Sequence, residues 1–308
     1  MPVTDAPDSH AVYGAPPREV VEAPAGAVCI SPLTPNAPRL EDLAPGSLDS
    51  MTLLAPPGTA ERRYTLALAL RALKDGGRLV AAAPKDKGGS RLRKELEALG
   101  CTVNEDSRRH HRIATVRKPV TPVGWDEAIA GGAPRLDPGL GLWTQPGVFS
   151  WDRIDPGTAL LAGSLPPLAG KGADLGAGIG VLSHAVLASP KVEHLTLVEL
   201  DGRAVEAARR NVSDPRATIL WADVRSCGLE PGSLDFVVMN PPFHDAGTED
   251  KALGQAFIRQ AAALLRKGGV LWLVANRHLP YERLLDELFR NVQPRADAGG
   301  YKVIEAIK

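Results

Sequence analysis

The chain has 308 residues, a hydrophobic fraction of 44% and a formal net charge of zero, so its length allows two globular domains. No stretch approaches the roughly 18 consecutive apolar residues of a membrane span, and the polar N-terminus MPVTDAPDSH does not resemble a secretory signal. Cys29, Cys101 and Cys227 are isolated, which argues against a disulfide framework or a zinc site and predicts a cytoplasmic protein without a metal.

Charge is unevenly distributed along the chain. Residues 58–118 carry fifteen Lys or Arg against seven Asp or Glu, whereas the segments on either side are acidic. The block contains Arg108, Arg109 and Arg112 in the run RRHHR, and a local basic surface of this kind attracts polyanions such as RNA. A solvated helix face followed by a charged edge strand explains the same residues, and charge alone favours this second interpretation.

The first half of the chain reads as α/β structure. The first 25 residues contain five prolines, which predicts a flexible segment. The apolar stretch GSLDSMTLLAPP at 46–57 is followed by a predicted helix over 61–73, an apolar strand after Gly76-Gly77, a helix over 90–99 and a strand over 111–116. This alternation is typical of an α/β domain.

The second half repeats the same order of elements. GSLDFVVMNPPFH at 232–244 matches the earlier stretch, and a helix over 251–265, a strand after Gly268-Gly269, a helix over 281–289 and a strand over 301–307 follow it. Two copies indicate duplication of a domain. We therefore predict a flexible segment at 1–25, a first domain at 26–120, a Gly/Pro-rich linker at 121–140 and a second domain at 141–308.

A glycine-rich loop at 174–180 (DLGAGIG) stands where a strand turns into the predicted helix 181–187. Glycine permits positive φ there and lets a ligand approach the backbone closely, although this pattern alone is a weak signal. Three acids strengthen it: Asp174 before the loop, Glu199 about 25 residues later and Asp223, followed by Val224, each near the end of a predicted strand. Ligands bind at that edge of an open parallel sheet.

The loop differs from the longer G-x-G-x-x-G turn that holds a pyrophosphate at a helix N-terminus. A carboxylate directly before the loop suits a cationic ligand without phosphates. S-adenosylmethionine has a sulfonium, an amino group, a ribose and an adenine amine, so it is the predicted cofactor.

With these motifs in view, the chain resembles class I S-adenosylmethionine-dependent methyltransferases, and more narrowly the guanine-N2 methyltransferases of the ribosomal RNA small-subunit methyltransferase C family. The resemblance is close over 140–308 and loose over the first half. The segments that carry it are Pro146–Ser150 (PGVFS), Asp174–Gly180, Asn240–His244 (NPPFH), Val274–Tyr281 (VANRHLPY), Leu285–Phe289 and Tyr301–Val303.

The resemblance implies two tandem Rossmann-like methyltransferase domains, each with a seven-stranded, mostly parallel sheet. The first domain would be degenerate, serving as support and for RNA recognition, because Ala55 stands where the second copy has Asn240 and residues 1–45 contain no glycine loop. The second would be catalytic.

The implied site has three parts. The cofactor-binding residues are Asp174, Gly176, Ala177, Gly178, Gly180, Glu199, Asp223, Val224 and Asn240, with Ala177 where many relatives carry Cys. The catalytic residues are Asn240, Pro241, Pro242 and Phe243. The candidate substrate or RNA contacts are His244, Arg277, His278, Arg108, Arg109 and Arg112. Phe149 fits a wall of the cofactor pocket and a core position equally well.

The segment Asn240–Phe243 suits methylation of an exocyclic base amine. Its lone pair is conjugated into the ring, and two acceptors, the side-chain oxygen of Asn240 and the carbonyl of Pro241, can reorient it. The two prolines stiffen the turn. Phe243 offers a face for base stacking, a contact worth about 1–3 kcal/mol, and the base must be unpaired or flipped out. The simpler interpretation is a rigid turn that ends a strand.

These features predict a monomeric enzyme that methylates the N2 amine of a guanine in ribosomal RNA, either naked or in a ribosomal subunit, with 16S favoured over 23S. A protein glutamine N5-methyltransferase, which uses a similar turn, is one alternative. A non-catalytic RNA-binding protein with a methyltransferase fold is the other. The basic block at 58–118 and the HLPY segment favour RNA.

Overall fold

The computed structural model describes residues 9–242, 244–245, 248–249 and 251–308. The chain forms two compact units. The N-terminal unit contains the residues up to Pro134 together with Gln145–Gly147, and the C-terminal unit contains Arg135–Thr144 and Val148–Lys308. None of the helices in the described ranges combines the length and apolar character that crossing a bilayer requires.

The N-terminal unit is a six-stranded sheet with helices. The strands are β1 (His10–Tyr13), β2 (Val28–Ile30), β3 (Leu48–Leu54), β4 (Leu73–Pro84), β5 (Asn104–Arg108) and β6 (His111–Arg117). The helices are α1 (Thr59–Ala72), α2 (Ser90–Ala98) and α3 (Trp125–Gly132), with short helical turns at Leu40–Asp42 and Lys85–Gly89. The strand order is β2-β1-β3-β4-β6-β5, in which β6 runs antiparallel to β4 and to β5.

Side-chain alternation in β4 divides the N-terminal core between the two faces of the sheet. Leu79 and Ala81 pack into the main cluster with α1 and α2, whereas Ala82 packs with Val20 and Val21 on the other face. Helix α1 is buried on almost every side because α3 also packs against it, which explains its continuous apolar run LALAL at 66–70.

The C-terminal unit contains the predicted seven-stranded, mostly parallel sheet, with order β11-β10-β9-β12-β15-β17-β16. Its strands are β9 (Gly170–Leu175), β10 (Val192–Glu199), β11 (Ala217–Trp221), β12 (Leu234–Met239), β15 (Leu265–Asn276), β16 (Asn291–Ala298) and β17 (Tyr301–Ile307). Two small hairpins add β7 (Arg135–Asp137) with β8 (Leu142–Thr144) and β13 (His244–Asp245) with β14 (Thr248–Glu249). Strand β17 lies antiparallel between β15 and β16.

Helices cover both faces of this sheet. They are α4 (Pro156–Ser164), α5 (Val181–Leu187), α6 (Gly202–Asn211), α7 (Lys251–Leu264) and α8 (Glu282–Leu288), with a short helical turn at Val224–Ser226. Val237 belongs to one apolar cluster and its neighbour Val238 to the other, as expected for a strand buried on both faces. Strands β10 and β12 both pair parallel with β9, so the carboxyl ends of these three strands lie side by side at one edge of the sheet.

Several elements lie where the sequence predicted none. Strand β1 falls within the segment 1–25, and α3 and β7 fall within the linker 121–140; Trp125 of α3 is buried and donates a hydrogen bond from Nε1 to the carbonyl of Leu99. The limits of the two domains and the flexibility of 1–25 remain predictions. Within the described residues, the N-terminal sheet has six strands instead of seven and lacks a counterpart of β11.

Candidate active site

The glycine loop connects β9 to α5 and depends on left-handed backbone at three positions. Gly176, Gly178 and Gly180 have φ of +75°, +55° and +94°. A Cβ on Gly180 would lie 2.6 Å from Cγ2 of Val212, so this glycine also lets the loop pack closely on its neighbours. A Cβ on Gly178 would meet nothing within 4 Å, so the backbone at Gly178 is accessible to a ligand.

Asp174 is fully buried on β9 directly before this loop. Its Oδ2 accepts a hydrogen bond from Oγ of Ser183 at 2.8 Å, and Oδ1 has no partner within the described residues. Burial, reinforced by the nearby carboxylate of Glu199, raises the pKa of Asp174 to about 7. A buried carboxylate oxygen without a partner fits a ligand that brings a cationic donor.

Glu199 ends β10 and holds the loop from the neighbouring strand. Its Oε2 accepts a hydrogen bond from the backbone N–H of Gly178 at 2.8 Å, and its Oε1 accepts from those of Leu200 and Asp201 at 2.8 Å each. Burial raises the pKa of this carboxyl in spite of the backbone donors. Each carboxylate oxygen has more than one acceptor site, so Glu199 can still bind a hydroxyl donor.

Asp223 lies at the end of β11 and is engaged by its own neighbour. Its carboxylate accepts hydrogen bonds from the backbone N–H and the guanidinium of Arg225, which hold the pKa of Asp223 below its usual value. Val224 is buried. The structure thus brings Asp174, Glu199 and Asp223 to the same edge of the sheet, but the carboxylate of Asp223 already has a cationic partner.

Asn240 directly follows β12, beside the loop. Its Nδ2 donates to Oδ2 of Asp155 at 3.0 Å and to Oγ1 of Thr158 at 2.8 Å. These three residues line one pocket with Phe149 and the loop residues 176–179. Phe149 is 60% exposed, so it borders this pocket and is not part of the core.

Two predicted site residues lie wholly or partly outside the described residues. Phe243 is outside them, and for His244 only the backbone, in β13, is described. Pro241 is buried and Pro242 is half-buried, in keeping with a stiff turn after β12. The predicted roles of Phe243 and His244 therefore remain predictions.

The predicted RNA contacts belong to different units. Arg108, Arg109 and Arg112 lie on the β5–β6 hairpin, whose turn places Arg109 at φ +47°, and Arg112 is 3.9 Å from the carboxylate of Glu105. Arg277 and His278 follow β15 in the C-terminal unit, where Nε of Arg277 donates to Oδ1 of Asp297 at 2.8 Å. Within the described residues, no group of His, Cys, Asp and Glu side chains is arranged to hold a metal ion.

Asp155 and Thr158 are two residues of this pocket that were not predicted from the sequence. The segment DPGT does carry a signal for a helix start, because Asp is a preferred N-cap and Pro is favoured at the first helical position. The structure confirms that Asp155 caps α4. That the cap faces Asn240, 85 residues later, could not be inferred from local sequence.

The corresponding turn of the N-terminal unit, Ala55-Pro56-Pro57, is occupied by a buried ion pair. Arg62 is 1% exposed and donates from Nη1 to the carbonyls of Pro56 at 3.1 Å and Pro57 at 2.7 Å. Its Nε and Nη2 donate to the two carboxylate oxygens of Glu95 at 2.6 and 2.8 Å. The first copy thus has neither the Asn side chain nor the open strand end of the second.

A family model matches the second half of the chain, and known proteins are similar to it over most of its length. The family model described as Methyltransferase small domain matches residues 139–305. The ribosomal RNA small subunit methyltransferase C of Pseudomonas aeruginosa (strain LESB58) is 34% identical over 280 residues, which cover 88% of this chain and 83% of the relative. The protein of the same name from Enterobacter sp. (strain 638) is 35% identical over 266 residues, or 84% and 75% of the two chains.

A solved structure is similar over nearly the whole length. It is the T. thermophilus 16S rRNA guanine-N2 methyltransferase in complex with AdoMet and guanosine, with a TM-score of 0.77 and 29% identity, covering 99% of this chain and 90% of that chain. The predicted fold of two Rossmann-like methyltransferase domains is confirmed. The chain belongs to the ribosomal RNA small subunit methyltransferase C family.

Proposed function

We propose that this enzyme transfers a methyl group from S-adenosylmethionine to the exocyclic N2 amine of a guanine in 16S ribosomal RNA. The observation that carries the proposal is the amide of Asn240, held at the end of β12 in the pocket that the glycine loop also lines. The family relatives and the guanosine complex of the T. thermophilus enzyme support the choice of RNA and of base.

The residues around the glycine loop fit the cofactor. Asp174 would offer a buried carboxylate oxygen to the amino group, Glu199 would offer a carboxylate to the ribose hydroxyls, and Asp223 with Val224 would bind the adenine. Gly176, Ala177, Gly178 and Gly180 form the loop against which the ligand lies. When bound, S-adenosylmethionine supplies an electrophilic methyl group on a sulfonium.

The protein's own groups act on the amine of the base. Oδ1 of Asn240 and the carbonyl of Pro241 accept hydrogen bonds from the two N–H groups, so that the lone pair of the nitrogen turns towards the methyl group. Formation of the N–C bond would break the bond between the methyl carbon and the sulfonium sulfur, leaving a neutral thioether, and the methylated amine would then lose one proton to water. Phe243 stacks on the flipped base, and positioning accounts for most of the rate enhancement.

The partner is the ribosomal RNA or the assembling small subunit, which the enzyme meets as a monomer in the cytoplasm. The N-terminal unit contributes RNA recognition through the basic block at 58–118, while Arg277, His278 and His244 contact RNA near the site.

Labelling of separated fractions tests this function. The protein is incubated with radiolabelled S-adenosylmethionine and small ribosomal subunits that lack guanine-N2 methyl groups. Label in the RNA fraction, lost after ribonuclease treatment, is the expected result. Label in protein would favour glutamine N5-methylation, and cofactor binding without any label would favour the non-catalytic alternative.

Reversing charge on the β5–β6 hairpin should weaken RNA binding. The variant to test is the triple variant Arg108→Glu, Arg109→Glu, Arg112→Glu. The binding constant falls as salt rises, and each lost phosphate contact should make the slope of log K against log salt less steep by about 0.7–0.9. Arg283→Glu is the control, because Arg283 lies on α8 with its side chain 92% exposed. Equal slopes for the triple variant and wild type in a salt titration would remove the hairpin from the RNA surface.

Cofactor affinity should depend on the protonation of Asp174. Its folded-state pKa of about 7 lies above the usual value of 3.8, so the carboxyl is protonated in mildly acidic solution and must ionise to bind an ammonium group. Affinity for S-adenosylmethionine should therefore rise as pH increases from about 5 towards 7, with proton release on binding.

Calorimetry in two buffers of different ionisation enthalpy measures this release. Asp174→Asn should abolish the rise, whereas Asp235→Asn should retain it, because Asp235 pairs with Arg266 away from the loop. A wild-type affinity that does not change over this range would contradict the assignment of Asp174.

A further inference from the structure

The start of α4 forms a rigid acceptor group beside Asn240. Asp155 is the N-cap of the helix, and its Oδ2 accepts hydrogen bonds from the backbone N–H of Thr158 at 2.8 Å and from its hydroxyl at 3.3 Å. An ionised carboxylate can only accept, so the hydroxyl hydrogen of Thr158 points to Asp155 and a lone pair of Oγ1 points away from it.

This arrangement fixes the orientation of the Asn240 amide relative to the start of α4. Both N–H groups of Nδ2 are used, one towards Oδ2 of Asp155 at 3.0 Å and one towards Oγ1 of Thr158 at 2.8 Å. A flipped amide would place Oδ1 against the carboxylate, acceptor against acceptor. The oxygen is therefore the end of the amide that points away from Asp155 and Thr158.

We infer that Asp155 and Thr158 are positioning residues for methyl transfer, which lock the amide of Asn240 so that its oxygen accepts from the target amine. The inference rests on the proposed function and deepens it. With the amide flipped, Nδ2 would face the N–H groups of the target amine, donor against donor, and could not reorient its lone pair.

Tyr301 on β17 lies beside the start of α4. Burial and the nearby carboxylate of Asp155 raise the pKa of Tyr301. The Tyr301 ring lies against Gly157, where a Cβ would be only 2.7 Å from Cδ1 of the ring. The first turn of α4 thus provides a fixed reference for the amide.

Two substitutions each remove one of the hydrogen bonds that orient the Asn240 amide and keep the helix cap. Thr158→Val deletes the hydroxyl but leaves the backbone N–H on Asp155, and Thr158→Ser is its conservative match. Asp155→Ser preserves a good N-cap residue whose short side chain does not also reach Asn240. Tm measured for each variant checks that the fold is intact.

With undermethylated small subunits as substrate, Thr158→Val and Asp155→Ser should lower kcat about 10- to 100-fold. The KM for subunits and the Kd for S-adenosylmethionine should stay within about twofold, and Thr158→Ser should retain nearly wild-type kcat. Equal kcat for the Val and Ser variants, or a loss of cofactor affinity in parallel with Tm, would overturn the inference.

A second readout does not require turnover. In nitrogen-15 NMR spectra of the full chain, the side-chain NH2 signals of Asn240, assigned by their absence in Asn240→Ala, should exchange slowly with water in wild type and faster in Thr158→Val. Fast exchange in wild type would contradict the inference that Asp155 and Thr158 hold the Asn240 amide in one orientation. Slow exchange in a wild-type protein that has no methyltransferase activity would support the fixed orientation of the amide and reject the proposed function instead.

Discussion

Asn240→Ala is expected to lower kcat for methyl transfer by about 10²–10³-fold, while the Kd for S-adenosylmethionine stays within about threefold of wild type. The side chain supplies one of the two acceptors that reorient the target amine, and removal of one such preorganised group typically costs 10²–10³ in rate. Its contacts within the described residues are to Asp155 and Thr158. Single-turnover kinetics and calorimetry measure the two quantities separately.

Asn291→Ala is the matched control, because Asn291 is exposed at the start of edge strand β16. It should change neither quantity. If Asn240→Ala weakened cofactor binding as much as it slowed turnover, the residue would be structural, and the chemistry proposed for the amide would be wrong.

Glu95→Ala is expected to destabilise the N-terminal unit by about 3–5 kcal/mol, because it leaves the guanidinium of Arg62 buried without a counter-charge. The side chains of Arg62 and Glu95 are 1% and 3% exposed, and two hydrogen bonds join them. Arg62 also holds the carbonyls of Pro56 and Pro57, so the end of β3 should loosen with it.

A neighbouring ion pair on the same helix provides the control. Glu97 pairs with Arg93 at 2.8 Å, but both side chains are about half exposed, so Glu97→Ala should cost less than about 1 kcal/mol. Hydrogen–deuterium exchange of peptides from β3 and α1 reports on this unit alone, which avoids treating a two-unit chain as two-state. Equal protection in the two variants would mean that the buried pair does not stabilise the unit.

The sequence predicted the elements whose signals are local. The helices α1 and α5, the glycine loop and strands β6 and β17 lie close to their predicted positions, because apolar periodicity and glycine punctuation act over a few residues. Strands β5 (NEDSR) and β16 (NVQPRADA) were missed, since an edge strand that is largely solvated carries no apolar pattern and forms only by pairing with its neighbour.

The site residues also differ in whether their signal is local or depends on tertiary contacts. Asp174, Glu199 and Asp223 were predicted because strand ends in a parallel sheet meet at one edge, and Asn240 was predicted from the segment NPPF and the family resemblance. The capping carboxylate of Asp155 was not, because its contact with Asn240 joins residues 85 positions apart. Arg62 and Glu95 likewise look like ordinary surface charges in a basic block, and only the packing of α1 and α2 buries them. Tertiary contacts of polar side chains leave little trace in local sequence.

The identity of the methylated nucleoside distinguishes attack by the exocyclic amine of guanine from attack by a ring nitrogen or by another base. Undermethylated small subunits are treated with the enzyme and S-adenosylmethionine carrying a trideuterated methyl group, and the 16S RNA is digested and analysed by mass spectrometry. The mechanism built on Asn240 and Pro241 predicts the deuterated methyl in N2-methylguanosine, and its absence after treatment with Asn240→Ala. Deuterated methyl on a ring nitrogen or on another base would contradict it.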